Sequence, residues 1–212
     1  MNNFFIHKNK ELAKGKMLPV MEHFYTLQGE GFHTGKAAYF MRLGGCDVGC
    51  HWCDVKESWN PDLHPLMNAE EIAEIAAKYC KTVVLTGGEP LMWNLEILTQ
   101  KLKNLGCAVH LETSGAYPMS GTFDWITLSP KKTGLPKDEI YKKAHELKVI
   151  IFNNHDFEFA EQQATKVSEN CLLYLQSEWS KRNEMYPKIT DYILENPKWR
   201  VSVQTHKYLN IP

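Results

Sequence analysis

Three thiols stand close together in the run Cys46-Asp-Val-Gly-Cys50-His-Trp-Cys53, a C-x3-C-x2-C spacing. As thiolates, three cysteines can hold three irons of a [4Fe-4S] cube, whereas an electron-transfer cluster generally takes four. The fourth iron is then open to a chelating molecule, as a cluster that acts chemically on a bound ligand requires. Other chemistries compete for these residues. Zinc usually draws four ligands, commonly as two separated pairs, and the sequence has no second C-x2-C. A c-type haem needs histidine after the last cysteine, where Asp54 stands. A thioredoxin-like pair accounts for Cys50 and Cys53 and leaves Cys46 idle, and a disulfide within the run leaves an odd thiol. Iron–sulfur is favoured here, with zinc and redox roles still open.

The surrounding pattern is one of alternation. Strand Ala37–Leu43 leads through Gly44 and Gly45 into the cysteines. A helix is expected over 69–80, with Ile72, Ile75, Ala76 and Tyr79 on one face, Asn68 as N-cap and Glu71 at N3. Further strands are expected at 82–85, 107–111, Trp125–Leu128, 149–152, 171–175 and 200–203. Helices are expected at 95–105, closed by Gly106, and at 138–146, 155–168 and 188–195. Strands alternating with helices imply an α/β fold with a mostly parallel sheet. A full eight-unit barrel takes about 250 residues, so 212 residues point to a partial, incomplete β/α barrel or an open sheet, in one domain. Polar residues follow five of the strands at once: TGGEP after Leu85, ETSG after Leu111, SPK after Leu128, Gln176 after Leu175, and QTHK after Val203. In a parallel sheet these ends share one rim, where such folds bind ligands.

Composition narrows the function classes. The chain is 43% hydrophobic and 23% charged, as a globular protein is. Lysine plus arginine (24) nearly cancel aspartate plus glutamate (25), for a net charge of -1. That balance excludes non-specific nucleic-acid binding as the main activity, because such binding runs on cationic excess. No stretch reaches the length of a membrane span or a secretory h-region, so no membrane partner is expected and a cytoplasmic location is. In that reducing compartment the six cysteines read as thiols or metal ligands. Cys80, Cys107 and Cys171 are expected in the core, and His33 and His110 in structural roles. His51 should pack or face solvent, and Asp47 should serve a turn. Trp59, Trp93, Trp125, Trp179 and Trp199 are assigned to core or interface, with Trp59 near enough the cysteine loop to reconsider. Glu112 is balanced between a ligand contact and a structural hydrogen bond. Lys8, Lys10, Lys14 and Lys16 read as a solvated run.

With these motifs in view, the sequence resembles the radical S-adenosylmethionine (SAM) superfamily, whose signature is C-x3-C-x2-C with an aromatic residue (Trp52) before the third cysteine, and whose second motif GGEP at 87–90 resembles. TLQGEG at 26–31, the Arg42 strand leading to GGC, CDVKESW, ETSG, SPK and the terminal VQTHKYLNIP are together similar to the 7-carboxy-7-deazaguanine synthase family. The resemblance implies conversion of 6-carboxy-5,6,7,8-tetrahydropterin to 7-carboxy-7-deazaguanine with loss of ammonia, in queuosine and deazapurine biosynthesis. It implies a [4Fe-4S] cluster on Cys46, Cys50 and Cys53 and SAM chelated to the open iron. Electron transfer into SAM then gives a 5′-deoxyadenosyl radical that takes hydrogen from C6 of the pterin, and SAM is regenerated.

The same resemblance assigns Trp52, Cys53, Asp54, Gly88, Ser129, Pro130, Lys131 and Gln176 to SAM. It assigns Leu27, Gln28, Gly29, Glu30, Arg42, Thr86, His206 and the carboxylate of Pro212 to the substrate, which predicts intolerance to C-terminal tags. Relatives place a threonine or serine hydroxyl after Cys-Asp to hold Mg²⁺, and here that position is Val55. Magnesium wants oxygen ligands, so its role is in doubt; Asp54 with substrate and water, or the charge of Lys56, are the alternatives. A flavodoxin or ferredoxin reductant and a homodimer are implied. The rivals are a glycyl-radical activating enzyme, which the LQGEG and histidine–lysine tail disfavour, and a non-catalytic metal-binding module, which leaves GGEP and SPK unexplained.

Overall fold

The computed structural model describes residues 10–212, and its nine strands form one sheet. In chain order they are β1 (Met17–Leu27), β2 (Ala37–Leu43), β3 (Leu66–Asn68), β4 (Thr82–Gly87), β5 (Ala108–Thr113), β6 (Trp125–Leu128), β7 (Glu146–Ile151), β8 (Leu172–Ser177) and β9 (Trp199–Ser202). Their spatial order is β3-β1-β2-β4-β5-β6-β7-β8-β9. β2 and β4 to β9 run parallel, while β1 is antiparallel to both β2 and β3. Because β3 and β9 each have one neighbour, the expected incomplete β/α barrel is an open sheet.

Successive side chains of a strand point to opposite faces, and here the two faces differ in chemistry. In β7, Leu147, Val149 and Ile151 are buried in the hydrophobic core, while Glu146, Lys148 and Ile150 occupy the alternate positions. Helix Ala69–Tyr79 starts on Asn68, whose side-chain oxygen accepts from the Glu70 and Glu71 N–H groups. It buries Ile72, Ala73 and Ala76 against the sheet. Tyr79, expected on that inner face, is 62% exposed and lies beside the rings of Tyr25 and Tyr39.

Several sequence expectations need correction. Strands β1 and β3 were not anticipated; β1 carries a bulge between Val20 and Glu22 that breaks its alternation. The helix expected over 138–146 is Asp138–Lys143, and β7 begins at Glu146 rather than 149. The cause is His145, whose N–H donates to Ile126, whose carbonyl accepts from Leu172, and whose Nδ1 accepts from the Ile126 N–H. Those bonds commit the chain to the sheet before the helical pattern runs out. The helix expected from 188 starts at Arg182 and continues through Pro187. Buried Met185 and Ile189, one turn apart, anchor both sides of the proline. The helix expected over 155–168 is His155–Ala164.

Cys107 and Cys171 are buried, and Cys80 packs against the core. Trp93 and Trp199 are core residues, as expected. His33, His110, His145 and Trp125 form one aromatic cluster: ring centroids are 4.6 Å apart for the tilted His33–His110 pair and for the edge-on His33–Trp125 pair, and 5.2 Å apart for the stacked Trp125–His145 pair. Lys10, Lys14 and Lys16 are exposed; Lys8 lies outside the described residues.

Candidate active site

The cysteine loop and the turn after β4 are built against each other. The Gly88 N–H donates to the Leu43 carbonyl at 2.9 Å and the Glu89 N–H to the Gly45 carbonyl at 2.8 Å. A Cβ on Gly88 would sit 2.5 Å from the Gly45 carbonyl oxygen and 2.7 Å from the Cys46 Cβ, so only glycine permits this approach. Glu89 is completely buried. It accepts from the Leu91 N–H at 3.0 Å, the Thr113 hydroxyl at 2.6 Å, the Ser114 N–H at 2.8 Å and the Ser114 hydroxyl. One carboxylate therefore locks GGEP to ETSG. On the other side of the cysteines, Lys131 donates to the Ser129 carbonyl at 2.8 Å and hydroxyl at 2.6 Å, and lies 5.5 Å from the Trp52 ring centre.

A second constellation lies across the same cleft. Lys148 pairs with Glu30 and, at 2.9 Å, with Glu112. Gln28 donates to the other Glu112 oxygen at 3.1 Å, and Gln204 to the other Glu30 oxygen at 2.7 Å. Burial by itself would raise the Glu30 carboxyl, but the Lys148 charge and the bonds from Lys148 and Gln204 hold it down at about 2. Burial opposes the Lys148 charge as well, and Glu112 and Glu30 overcome it and raise its pKa. The result is two acidic side chains, Glu30 and Glu112, fixed around one ammonium. The C-terminal tail clasps this loop: the Thr205 N–H donates to the Gly29 carbonyl at 2.9 Å, and the His206 ring packs where a Gly29 side chain would be.

Beneath this pair, Glu146 is 2% exposed. Its Oε2 accepts from the Phe32 N–H at 3.0 Å, and its Oε1 is buried without a hydrogen-bond partner. Burial pushes the carboxyl up to about 7, with Lys148 lowering it and Glu112 raising it. A folded-state pKa above the ordinary 4.5 means that the stability tied to this proton is full below about 4.5 and is lost as pH rises through about 7. Glu146→Gln is therefore expected to gain about 2–3 kcal/mol relative to wild type between pH 5 and pH 8. Urea unfolding of both proteins at the two pH values checks this, and the histidines shared by both cancel. Glu30, held at about 2, acts only in acid: its contribution is present above about 4.5 and lost as pH falls through about 2.

All the sequence-assigned site residues line this one cleft except Pro130, which is buried behind the rim. Cys46, Cys50, Cys53, Trp52, Asp54, Gly88, Ser129, Lys131 and Gln176 border it together with Leu27, Gln28, Gly29, Glu30, Arg42, Thr86, His206 and Pro212. Arg42 gives its Nε–H to Glu22 at 2.6 Å and still borders the cleft. Thr26 donates to the Pro212 carbonyl oxygen at 3.4 Å. Two tryptophans assigned to core or interface, Trp59 and Trp179, line the cleft instead. Asp47 accepts from the Tyr117 hydroxyl at 2.6 Å. His51 is exposed, with its ring edge-on to Phe152 at 5.1 Å. Lys148 and Glu146 were missed by the sequence reading, although charge alternating with Leu147 and Val149 was the available signal.

Comparison with known proteins agrees with this geometry. Residues 42–153 match the family model of the radical SAM superfamily. A 7-carboxy-7-deazaguanine synthase of Flavobacterium psychrophilum is 67% identical over 201 residues, covering 95% of this chain and 96% of the relative. The chain belongs to the 7-carboxy-7-deazaguanine synthase family. The synthase of Escherichia coli K12 is 33% identical, over 91% of this chain and 98% of the relative. The crystal structure of QueE from Escherichia coli superposes with a TM-score of 0.80 at 28% identity, covering 92% of this chain and 97% of that one. Radical SAM enzymes of this family carry a [4Fe-4S] cluster and SAM.

The residues present fit that cluster. Burial pushes the Cys46 thiol up to about 11 and raises Cys50 too, so ligation would displace protons. Among the described residues no three His, Cys, Asp or Glu side chains converge on a single ion, whereas a cube takes each thiolate on its own iron. Magnesium fits less well. Val55 offers no oxygen, and Asp54 already pairs with Lys207 at 2.8 Å. No helix among the described residues is long and apolar enough to cross a membrane.

Proposed function

We propose that this chain, acting as a single domain, converts 6-carboxy-5,6,7,8-tetrahydropterin to 7-carboxy-7-deazaguanine with release of ammonia. The observation that carries this reading is the Gln28–Glu30–Glu112 acceptor set, organised by Lys148 on the same cleft as the three cysteines. When bound, the cluster and SAM supply one-electron, hydrogen-abstracting chemistry. The protein's residues do the rest.

Glu30 and Glu112, with the Gln28 amide, accept from the donor-rich edge of the pterin. The Arg42 guanidinium has donors beyond the one that Glu22 takes, and these answer the substrate carboxylate. Thr86 and His206 complete the substrate wall. Gly88 gives the SAM amino-acid end access to backbone, Trp52 and Lys131 border its adenosyl end, and Gln176 closes the far side. Holding these groups fixed before the reaction removes reorganisation cost and excludes water from a reactive species.

The cation beside the substrate carboxylate is supplied by the protein, through Arg42 and the Lys207–Asp54 pair, rather than by Mg²⁺. A flavodoxin or ferredoxin delivers the electron, and the protein works as a cytoplasmic homodimer. Anaerobic turnover of reconstituted protein, with 1 mM Mg²⁺ (roughly, an ordinary cation supplement) or with chelator, tests both points by mass spectrometry. The two arms are expected to agree within about twofold. A tenfold or greater loss with chelator would show that magnesium is held despite Val55.

A further inference from the structure

Three consecutive backbone N–H groups of the loop that reads the substrate find side-chain acceptors, the first within the loop itself and the next two on the sheet. Glu30 N–H donates to Gln28 Oε1 at 3.1 Å, Gly31 N–H to Ser202 Oγ at 2.9 Å, and Phe32 N–H to Glu146 Oε2 at 3.0 Å. Only the middle tie leads on to the SAM side of the cleft. Ser202 ends β9 opposite Gln176 of β8, and its hydroxyl donates to Gln176 Oε1 at 2.6 Å.

A hydroxyl has one proton. Because an N–H can only donate, the Gly31 bond uses an oxygen lone pair and the proton is committed to Gln176. This fixes the Gln176 amide with its oxygen toward Ser202 and its NH₂ turned away. Ser202 is 3% exposed and Gln176 2%, so bulk water does not compete for either group. The tie is also stiff. Gly31 sits at φ +65°, and a Cβ there would collide with Glu146 Oε1. A displacement of the loop at Gly31 is therefore a displacement of the acceptor on Ser202, and with it of the Gln176 amide.

We propose that Ser202 is a positioning residue that couples the two ligand sites, so that engagement of substrate by the Gln28–Gly31 loop tightens the hold on SAM at Gln176. The proposal rests on the assignment of Gln176 to SAM and the loop to the pterin made above. Its chemical value is plain: a chain that cleaves SAM with no substrate in place exposes itself to an unspent carbon radical. By linkage the effect is reciprocal, and SAM tightens substrate by the same factor.

The test is a SAM titration of the reconstituted, unreduced holoenzyme with and without 6-carboxytetrahydropterin, for wild type, Ser202→Ala and Glu146→Gln. In wild type the substrate is expected to tighten SAM about tenfold, within the usual range of coupling between sites. In Ser202→Ala the factor falls below about twofold, while SAM alone binds within about threefold of wild type. Glu146→Gln alters the neighbouring tie, which does not touch Gln176, and keeps the factor even where it weakens the substrate. Under dithionite, Ser202→Ala releases more 5′-deoxyadenosine per deazaguanine formed. An unchanged factor in Ser202→Ala, no factor in wild type, or an equal loss in Glu146→Gln would each overturn the proposal. Product formation by wild type in the same preparation separates that failure from failure of the substrate assignment.

Discussion

Lys148→Met is expected to lower 7-carboxy-7-deazaguanine formation by roughly a thousandfold and folding stability by about 3–5 kcal/mol. The Lys148 side chain is 4% exposed, and its partners Glu30 and Glu112 are 18% and 19% exposed. Methionine matches the length of the lysine stem but leaves these two carboxylates, with Glu146 below them, facing each other without a cation. Breaking a buried pair on one side costs far more than the pair contributes, because the remaining charge is stranded. The carboxylates then take up protons or move apart, and in either case the acceptor pattern offered to the pterin is lost. The cysteine loop takes no bond from Lys148, so iron content and SAM binding in the absence of substrate are expected to survive. Quantifying product, iron and urea stability together checks the account. Product within tenfold of wild type would show that the Lys148 network is scaffolding alone.

Cys50→Ser should be more severe still, with both 5′-deoxyadenosine and deazaguanine falling to background, at least about ten-thousandfold below wild type. A serine hydroxyl is a poor substitute for a thiolate on iron, and a cube held at two corners has no defined open iron to present. The contrast is Cys80→Ser. The Cys80 thiol donates to the Ala37 carbonyl at 3.5 Å and accepts from the Thr82 N–H at 3.4 Å. A hydroxyl serves both roles, so full iron and activity within about twofold are expected. If Cys80→Ser lost its cluster as Cys50→Ser does, the division of the cysteines into ligands and packing thiols would be wrong.

The parts of this site that sequence made legible are those where chemistry demands a residue type at a fixed spacing. Cys46, Cys50 and Cys53 are named by their intervals, and GGEP, ETSG and SPK by following apolar runs that had to be parallel strands. The less legible parts are those where tertiary context overrides a local pattern. Asp138 to Glu146 has helical character, but the sheet bonds of His145 end the helix early. That shift hid Glu146 and Lys148, whose charges read as solvated because charge usually does; on the cleft side of this sheet the alternation Glu146-Leu-Lys148-Val-Ile150 instead marks a polar inner face. β1 escaped notice for a related reason. Its inner positions include Glu22, which meets Arg42, and Phe24 and Thr26, which line the cleft, so its polarity belongs to the site and obscures the strand. Ser202 gave no signal at all, since a lone serine at a strand end acquires its meaning only from the Gly31 and Gln176 groups that the fold brings to it.

The most direct measurement is an anaerobic turnover of the reconstituted protein with dithionite, SAM and 6-carboxytetrahydropterin, in which 7-carboxy-7-deazaguanine and 5′-deoxyadenosine are quantified together. The account predicts deazaguanine in many-fold excess over protein, with deoxyadenosine remaining a small fraction of it because SAM is regenerated. Abundant deoxyadenosine without deazaguanine, from protein with full iron, would contradict it: the radical chemistry would stand, and the pterin would not be the molecule that Gln28, Glu30 and Glu112 are arranged to hold.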